Sequence, residues 1–253
     1  MIELAEKAAR AAGEIIRAAG SARDVRRKGV VDLVTEVDFA AEARIREILA
    51  AGAPGIPVLG EEEGGAEAAA TRWIVDPLDG TVNFVHGLPA YCVCIALQDA
   101  GDLELGVVYD PNGDRCFRAV RGGGAELDGR PLRVSATTDL GEALLASGFP
   151  YDRRENADYY LRFLKAFLER AQGFRRPGSA GLDLVTLASG ALDGFWEFGL
   201  KPWDVAAGTL IIREAGGVVT DLDGGPLNLD RPRVLASNGH IHDAMLAVVA
   251  DLL

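Results

Sequence analysis

Two carboxylates, Asp76 and Asp79, stand three residues apart in the stretch Trp73-Ile74-Val75-Asp76-Pro77-Leu78-Asp79-Gly80-Thr81-Val82-Asn83-Phe84. They leave a short apolar run and enter a tight turn, a setting that suits a divalent cation with hard oxygen ligands. The Gly80 and Thr81 amides, at what reads as a helix start with Asp79 as a cap candidate, suit an oxyanion. The same residue types also build ordinary turns, so this stretch by itself supports either reading. Further acids stand at comparable places. Glu61 leads Glu61-Glu62-Glu63 out of a predicted strand, and Asp204 sits in the first turn of a predicted helix. An acidic run is usually a solvated face, but ligands collect at strand ends in α/β sheets. Were Glu61, Asp76, Asp79 and Asp204 to converge, their repulsion would call for cations. An oxygen-only set points to Mg2+ or Mn2+ rather than Zn2+. Magnesium at such a site bridges to phosphate oxygens and keeps water elsewhere, and such a water is a nucleophile. Thr81 is close enough in sequence to Asp79 to orient it, with Glu61 accepting its proton. No Ser/His/Asp or Cys/His arrangement competes.

The elements that must position these residues are legible from periodicity. Residues 2–20 read as an amphipathic helix ended by Gly20, and a second helix runs from 34–38 to about 51 with Thr35 and Asp38 as cap candidates. Between them lies a basic loop holding Arg23, Arg26, Arg27 and Lys28. It reads as a solvated loop or as a flap over an anionic ligand. Residues 58–59 and 73–75 read as strands, and 64–71 as loop or weak helix. From residue 91 the period changes to two, which predicts strands over 91–98, 103–109, 114–120 and 125–134, an antiparallel meander. Gly122-Gly123-Gly124 is a hairpin loop, since no strand–GxGxxG–helix context surrounds it. Strands over 143–147 and 174–175 flank a helix at 156–171. Then Arg176-Pro177-Gly178-Ser179-Ala180-Gly181 forms a second small-residue turn into a helix at 182–190, a second possible phosphate or hydroxyl cradle. A strand over 193–198 carries Glu197, and a helix over 202–215 carries Asp204. Strands over 218–220 and 234–236 and a helix over 241–252 close the chain. The sum is an α/β (α+β) chain built on two sheets.

Composition narrows the function. A net charge of −12 argues against a nucleic-acid binder, because such proteins neutralise phosphates with Lys and Arg. An anionic substrate would require a local reversal of sign, which bound cations supply most simply. Three cysteines are too few for a disulfide framework. Cys92 and Cys94 alternate on one predicted strand face and read as reduced core thiols rather than zinc ligands, since no second Cys/His pair has matching spacing. His240 and His242 read as loop or helix-start residues rather than ligands. No run approaches the ~18 apolar residues of a membrane span. Glu3 and Glu6 stand where a signal peptide would be basic. A cytoplasmic location and no membrane partner are expected.

Two segments, Asp76-Pro77-Leu78-Asp79-Gly80-Thr81-Val82-Asn83-Phe84 and Trp203-Asp204-Val205-Ala206-Ala207-Gly208, resemble the signature motifs of the inositol monophosphatase family. Asp32-Leu33-Val34-Thr35-Glu36-Val37-Asp38 and Gly60-Glu61-Glu62 fit the same family, in its order, from about residue 28 to 217. The resemblance implies a layered αβαβα sandwich of the sugar-phosphatase type, with mixed and antiparallel sheets. It further implies a homodimer and Li+-sensitive, Mg2+-dependent hydrolysis of a small phosphorylated polyol or sugar. Residues 1–253 would be a single catalytic unit, with a metal-binding α+β half over 1–140 and an α/β half over 141–253. By resemblance, Glu61, Asp76 and the Leu78 carbonyl would hold one metal, and Asp76, Asp79 and Asp204 a second. A third would lean on Glu61 through water. Gly80 and Thr81 would present amides to the phosphate, Thr81 with Glu61 would activate the water, and Asp38 would support Thr81. Lys28, or Arg27 beside it, would face the metal-bound water. Asp79, Gly178, Ser179, Ala180, Glu197 and Asp204 would line the substrate side. Inositol 1-phosphate is the expected substrate. Fructose 1,6-bisphosphate, histidinol phosphate, a 3′-phosphoadenosine nucleotide and NADP are the alternatives within the family. Arg175 and Arg176 read as a surface pair, though they could favour a second phosphate. From a different class comes a regulatory protein contacting the transcription or translation machinery, but none of the four metal acids is missing.

Overall fold

The computed structural model describes residues 1–20, 25–27 and 33–253. It opens with α1 (Ile2–Ala19), where Ala5, Ala8, Ala9, Ala12 and Ile16 recur at helical spacing and are all buried. Strands β1 (Val25–Arg27) and β2 (Leu33–Thr35) pair antiparallel, and α2 (Glu36–Gly52) starts from a capping box. Val37 N–H donates to the Thr35 hydroxyl, and Thr35 N–H donates to the Asp38 carboxylate.

Strands β3 (Val58–Gly60) and β4 (Thr71–Asp79) lead to the short helix α3 (Thr81–Val85). The meander follows: β5 (Cys92–Asp99), β6 (Asp102–Asp110), β7 (Arg115–Val120), β8 (Gly124–Leu127) and β9 (Arg130–Pro131). These seven strands lie in sequence order in one sheet, parallel only between β3 and β4. The second sheet is built from β10 (Leu144–Ser147), α4 (Ala157–Leu168), β11 (Gly173–Arg175), α5 (Ala180–Ala188), β12 (Gly194–Glu197), α6 (Pro202–Glu214), β13 (Val218–Asp221), β14 (Val234–Ser237) and α7 (His242–Ala250). Its order is β11-β10-β12-β14-β13, with β10 parallel to both neighbours and β14 antiparallel to both of its own.

Alternation along the strands sorts side chains into layers. Trp73 and Val75 of β4, with Val93 and Ile95 of β5, pack against α1 and α2. Ile74, Cys92, Cys94 and Ala96 face the other way, onto α5 and α6, which also receive Ala146, Phe195 and Ala236 from the second sheet. Helices α4 and α7 cover that sheet's outer face through Phe163, Phe167, Met245 and Val249. The expected αβαβα layering and mixed sheets are present. Gly106 lets the middle layer close: a Cβ there would lie 2.7 Å from the Ala207 carbonyl oxygen of α6.

Four local expectations need correction. The single strand over 125–134 is two, because Asp128 and Gly129 both adopt positive φ and turn the chain. Strand β4 does not stop before Pro77 but continues through it to Asp79. The helix expected over 182–190 starts at Ala180, where Leu182 N–H donates to the Ser179 hydroxyl. Asp79 does not cap α3; Gly80 does, at φ 95°.

Candidate active site

The C-terminal end of β4 gathers the acids. In a regular strand, residues three apart point to opposite faces. The register of β4 against β5 shifts between Asp76 and Asp79, leaving Pro77 and Leu78 in a bulge where the missing proline N–H costs no ladder bond. Leu78 N–H donates to Asp76 Oδ1 at 2.9 Å and fixes the bulge. Asp76 and Asp79 thereby face one space. Asp204 reaches it from the first turn of α6, its Oδ2 accepting Lys201 N–H at 2.7 Å. One oxygen from each of Asp76, Asp79 and Asp204 lies within 4.8 Å of the other two.

Glu61 lines the same pocket, presented by the turn after β3. That turn is clamped from α2. The fully buried Glu42 accepts Glu62 N–H at 2.8 Å and Glu63 N–H at 3.1 Å. Arg46 donates to Glu42 at 2.8 Å and to the carbonyls of Val58 and Gly64 at 3.1 and 2.8 Å.

Crowding acids in a buried place raises their pKa values. Asp76 is pushed well up by burial first, then by Glu61, Asp79 and Asp204. Asp204 is pushed well up by burial, then by Asp79 and Glu61. For Asp79 burial also wins, although Ser179 Oγ (2.5 Å) and Gly181 N–H (2.7 Å) donate to its Oδ2 and oppose the rise. A divalent cation among these oxygens would restore the ionised forms. The donor set is oxygen-only and fits a hard cation.

A profile of the inositol monophosphatase family matches residues 1–252. The chain belongs to the inositol monophosphatase family. It is 44% identical over 253 residues to an inositol-1-monophosphatase of Synechocystis, covering 98% of this chain and 88% of that one. It is 43% identical over 258 residues to the Nus factor SuhB of Pseudomonas aeruginosa, covering 98% and 95%. The solved inositol monophosphatase of Anabaena superposes with a TM-score of 0.91 at 40% identity, covering 100% of this chain and 96% of that one. As a family member, the chain is a phosphomonoesterase.

The rest of the site is built around Thr81. Its Oγ1 is 3.1 Å from both Asp38 Oδ1 and the Leu78 carbonyl oxygen. A hydroxyl has one proton to donate, so its lone pairs are left for an incoming water. Asp38 is buried behind it, also accepting Thr35 N–H at 2.9 Å and Thr35 Oγ1 at 2.5 Å; burial nevertheless raises its pKa. Gly80 is required twice over, by its positive φ and because a Cβ would lie 2.8 Å from the Ala90 carbonyl.

Glu61, Asp76, Leu78, Asp79, Gly80, Thr81, Gly178, Ser179, Ala180, Glu197 and Asp204 all line one pocket. Lys28 and Arg23 lie outside the described residues. Among the lining residues that sequence reasoning did not assign to the site are Asn83, Arg153, Asp183 and Arg176, the last read as half of a surface pair. Asn83 Nδ2 ties the loops together, donating to the carbonyls of Ala90 (2.7 Å), Pro177 (2.9 Å) and Gly178 (3.2 Å). Asp183, buried on α5, is pushed well up by burial and by Asp79. Glu197 is pushed up to about 8, mostly by burial, against the pull of Arg176. For Asp183 the one weak signal was its place in the first turn of the helix that leaves the small-residue turn. Among the described residues no helix is long and apolar enough to cross a membrane.

Proposed function

We propose that this phosphomonoesterase hydrolyses inositol 1-phosphate to inositol and phosphate, with two or three Mg2+ ions as cofactors and Mn2+ able to replace them. The observation that carries the reading is the cluster of Asp76, Asp79 and Asp204 oxygens within 4.8 Å, lining one pocket with Glu61. Glu61, Asp76, Asp79, Asp204 and the Leu78 carbonyl would hold the cations. When bound, these ions neutralise phosphate charge, stabilise the leaving alkoxide and lower the pKa of the attacking water. The chain's own groups do the rest. Gly80 and Thr81 offer backbone amides to the phosphate oxygens. Thr81 Oγ1, held through its proton by Asp38 or Leu78, accepts a hydrogen bond from the attacking water, and Glu61 takes that water's second proton. Lys28 would add positive charge beside the water. On the far side Asp183, Glu197 and Arg176, with Gly178, Ser179 and Ala180, suit a ligand with several hydroxyls. Neutral Glu197 can donate to one of them as well as accept.

Support for inositol 1-phosphate comes from the Synechocystis relative's name and from this pocket wall. A phosphate-release assay over inositol 1-phosphate, fructose 1,6-bisphosphate, histidinol phosphate, a 3′-phosphoadenosine nucleotide and NADP tests it. The expected result is the highest kcat/KM for inositol 1-phosphate, abolished by chelator and inhibited by Li+. A higher value for any other substrate overturns the assignment. The chain is further proposed to act as one unit over 1–253 and as a homodimer in the cytoplasm; light scattering tests the dimer.

A second reading has its own support: the Pseudomonas relative is named a Nus factor. We infer that this chain can also serve in that capacity, through its surface rather than its pocket. Pull-down of transcription components at physiological salt by the native chain and by a phosphatase-dead variant alike is the expected result.

A further inference from the structure

Beneath Asp79, on the face of β5 turned toward α5, stand two thiols. Cys92 and Cys94 flank Val93 and project from the same side of the strand; both are free and buried. Their sulfurs are 3.7 Å apart, and Cys92 Sγ is 3.5 Å from Asp79 Oδ2. The donor atoms of Cys92, Cys94 and Asp79 all lie within 4.8 Å of one another. A tetrahedral cation with bonds of about 2.3 Å to sulfur and 2.0 Å to oxygen has S···S edges of about 3.8 Å and S···O edges of about 3.5 Å. Both measured edges match.

Gly181 supplies a second, independent observation. A Cβ at that position would lie 2.6 Å from Cys94 Sγ, 2.8 Å from Cys92 Sγ and 3.1 Å from Asp79 Oδ2. The three donors are thus the nearest atoms on the side Gly181 turns to them, and any side chain there would sit against all three. Gly181 is not among the glycines with positive φ, so it is the space and not the backbone that asks for glycine here.

We infer that Cys92, Cys94 and Asp79 form a site for a thiophilic divalent cation such as Cd2+ or Zn2+, which inhibits the phosphatase by taking Asp79 from the catalytic set. Ser179 Oγ, 3.5 Å from Cys92 Sγ, stands at hand as a fourth ligand. Binding breaks two S–H bonds, forms two metal–thiolate bonds and releases two protons to solvent. Both thiols are buried, so a small cation reaches them where a bulky thiol reagent does not. Mg2+, which prefers oxygen, does not engage them. The competition for Asp79 rests on the function proposed above, whereas binding at the thiols does not.

Cd2+ is the probe. The metal-free full chain is titrated with Cd2+ while the ultraviolet sulfur-to-cadmium charge-transfer absorption is followed. The expected band saturates at one equivalent in the native chain and in Cys116→Ala, and is lost in Cys92→Ala. In parallel, phosphate release is measured at fixed Mg2+. Cys94→Ala should match native activity without Cd2+ and need on the order of tenfold more Cd2+ for half-inhibition. Absence of the band in the native chain overturns the site, whatever the variants do. A band with no shift in half-inhibition overturns the competition at Asp79. A band in a chain with no Mg2+-dependent phosphatase activity establishes the site and overturns the functional reading instead.

Discussion

Asp79 accepts two hydrogen bonds through Oδ2 and also belongs to the acid cluster, so charge and shape can be separated at this residue. Asp79→Asn keeps an acceptor oxygen for Gly181 N–H and removes the charge. Phosphate release should fall by about 10³-fold or more, while the circular dichroism spectrum stays native. Because a like charge is gone from a repulsive cluster, the variant should resist urea at least as well as the native chain when both are metal-free. Glu197 gives a pH test. Its folded pKa of about 8 exceeds the ordinary 4.5, so between those values the folded chain holds a proton that the unfolded chain has lost. The contribution of Glu197 to stability therefore falls as pH rises from 4.5 to about 8 and is constant above. In chelator, Glu197→Gln should flatten this dependence and be the more stable protein at pH 8.5, by roughly one to a few kcal/mol. A native-like slope in urea midpoints of the variant would refute the assignment. Residues of this kind differ in how plainly a sequence shows them. Glu61, Asp76, Asp79 and Asp204 were visible because each acid stands at a strand end or helix start. Asp183 and Asn83 were not, because an Asp in a helix and an Asn after a turn are usually solvated, and only tertiary closure puts them in the pocket.

At the scale of elements, the site depends on a helix holding a loop. Glu42 and Arg46 on α2 satisfy the backbone of the turn that carries Glu61, and Gly60 leaves room for the Glu42 carboxylate. Glu42→Ala would take the acceptor from Arg46 and from the Glu62 and Glu63 N–H groups, at a cost of about 1–3 kcal/mol, Arg46 keeping Glu63 at 3.4 Å. It would also release the Glu61 turn. Glu42→Gln separates the two effects, because its amide oxygen can still accept one of the two backbone N–H groups. We expect it to retain most of the fold, yet to raise the Mg2+ concentration for half-maximal activity several-fold, with kcat at saturating Mg2+ changed less. Equal loss of kcat and Mg2+ affinity would argue against a positioning role. This clamp was not legible beforehand, since Glu42 and Arg46 look like an ordinary exposed i,i+4 pair. The helices and most strands were legible, because 3.6- and 2-residue periodicities survive in a chain whose sheets are buried on both faces. The exceptions are instructive. Pro77 suggested a strand end and instead marks the bulge that turns Asp76 and Asp79 to one side. The strand expected over 125–134 broke at Asp128-Gly129, where turn chemistry outweighed apolar alternation.

For the molecule as a whole, the acid cluster lies where the two sheets and their shared helix layer meet. Asp76 and Asp79 end a strand of the first sheet, Asp204 opens the helix packed between the sheets, and Glu197 ends a strand of the second. Without cations the fold brings together charges that the unfolded chain keeps apart, in a protein of net charge −12. Burial and mutual repulsion hold Asp76 and Asp204 well above ordinary carboxylate pKa values, so the metal-free folded state takes up protons on folding. Its stability must then fall as pH rises above the ordinary carboxylate range. A cation that binds only the folded state has the opposite dependence, since it displaces those protons and binds more tightly as pH rises. Saturation at a hundred times Kd stabilises by about 2.7 kcal/mol, which raises Tm by several degrees for a chain of this length. Thermal unfolding at pH 6 and pH 8, with Mg2+ and with chelator, should show a larger Mg2+ shift at pH 8. The metal-free chain should unfold at the lower temperature at pH 8. Asp204→Asn should shrink the Mg2+ shift at both pH values while raising the metal-free Tm. An Mg2+ shift independent of pH, or unchanged in Asp204→Asn, would mean that the cation stabilises the protein somewhere other than where the two sheets meet.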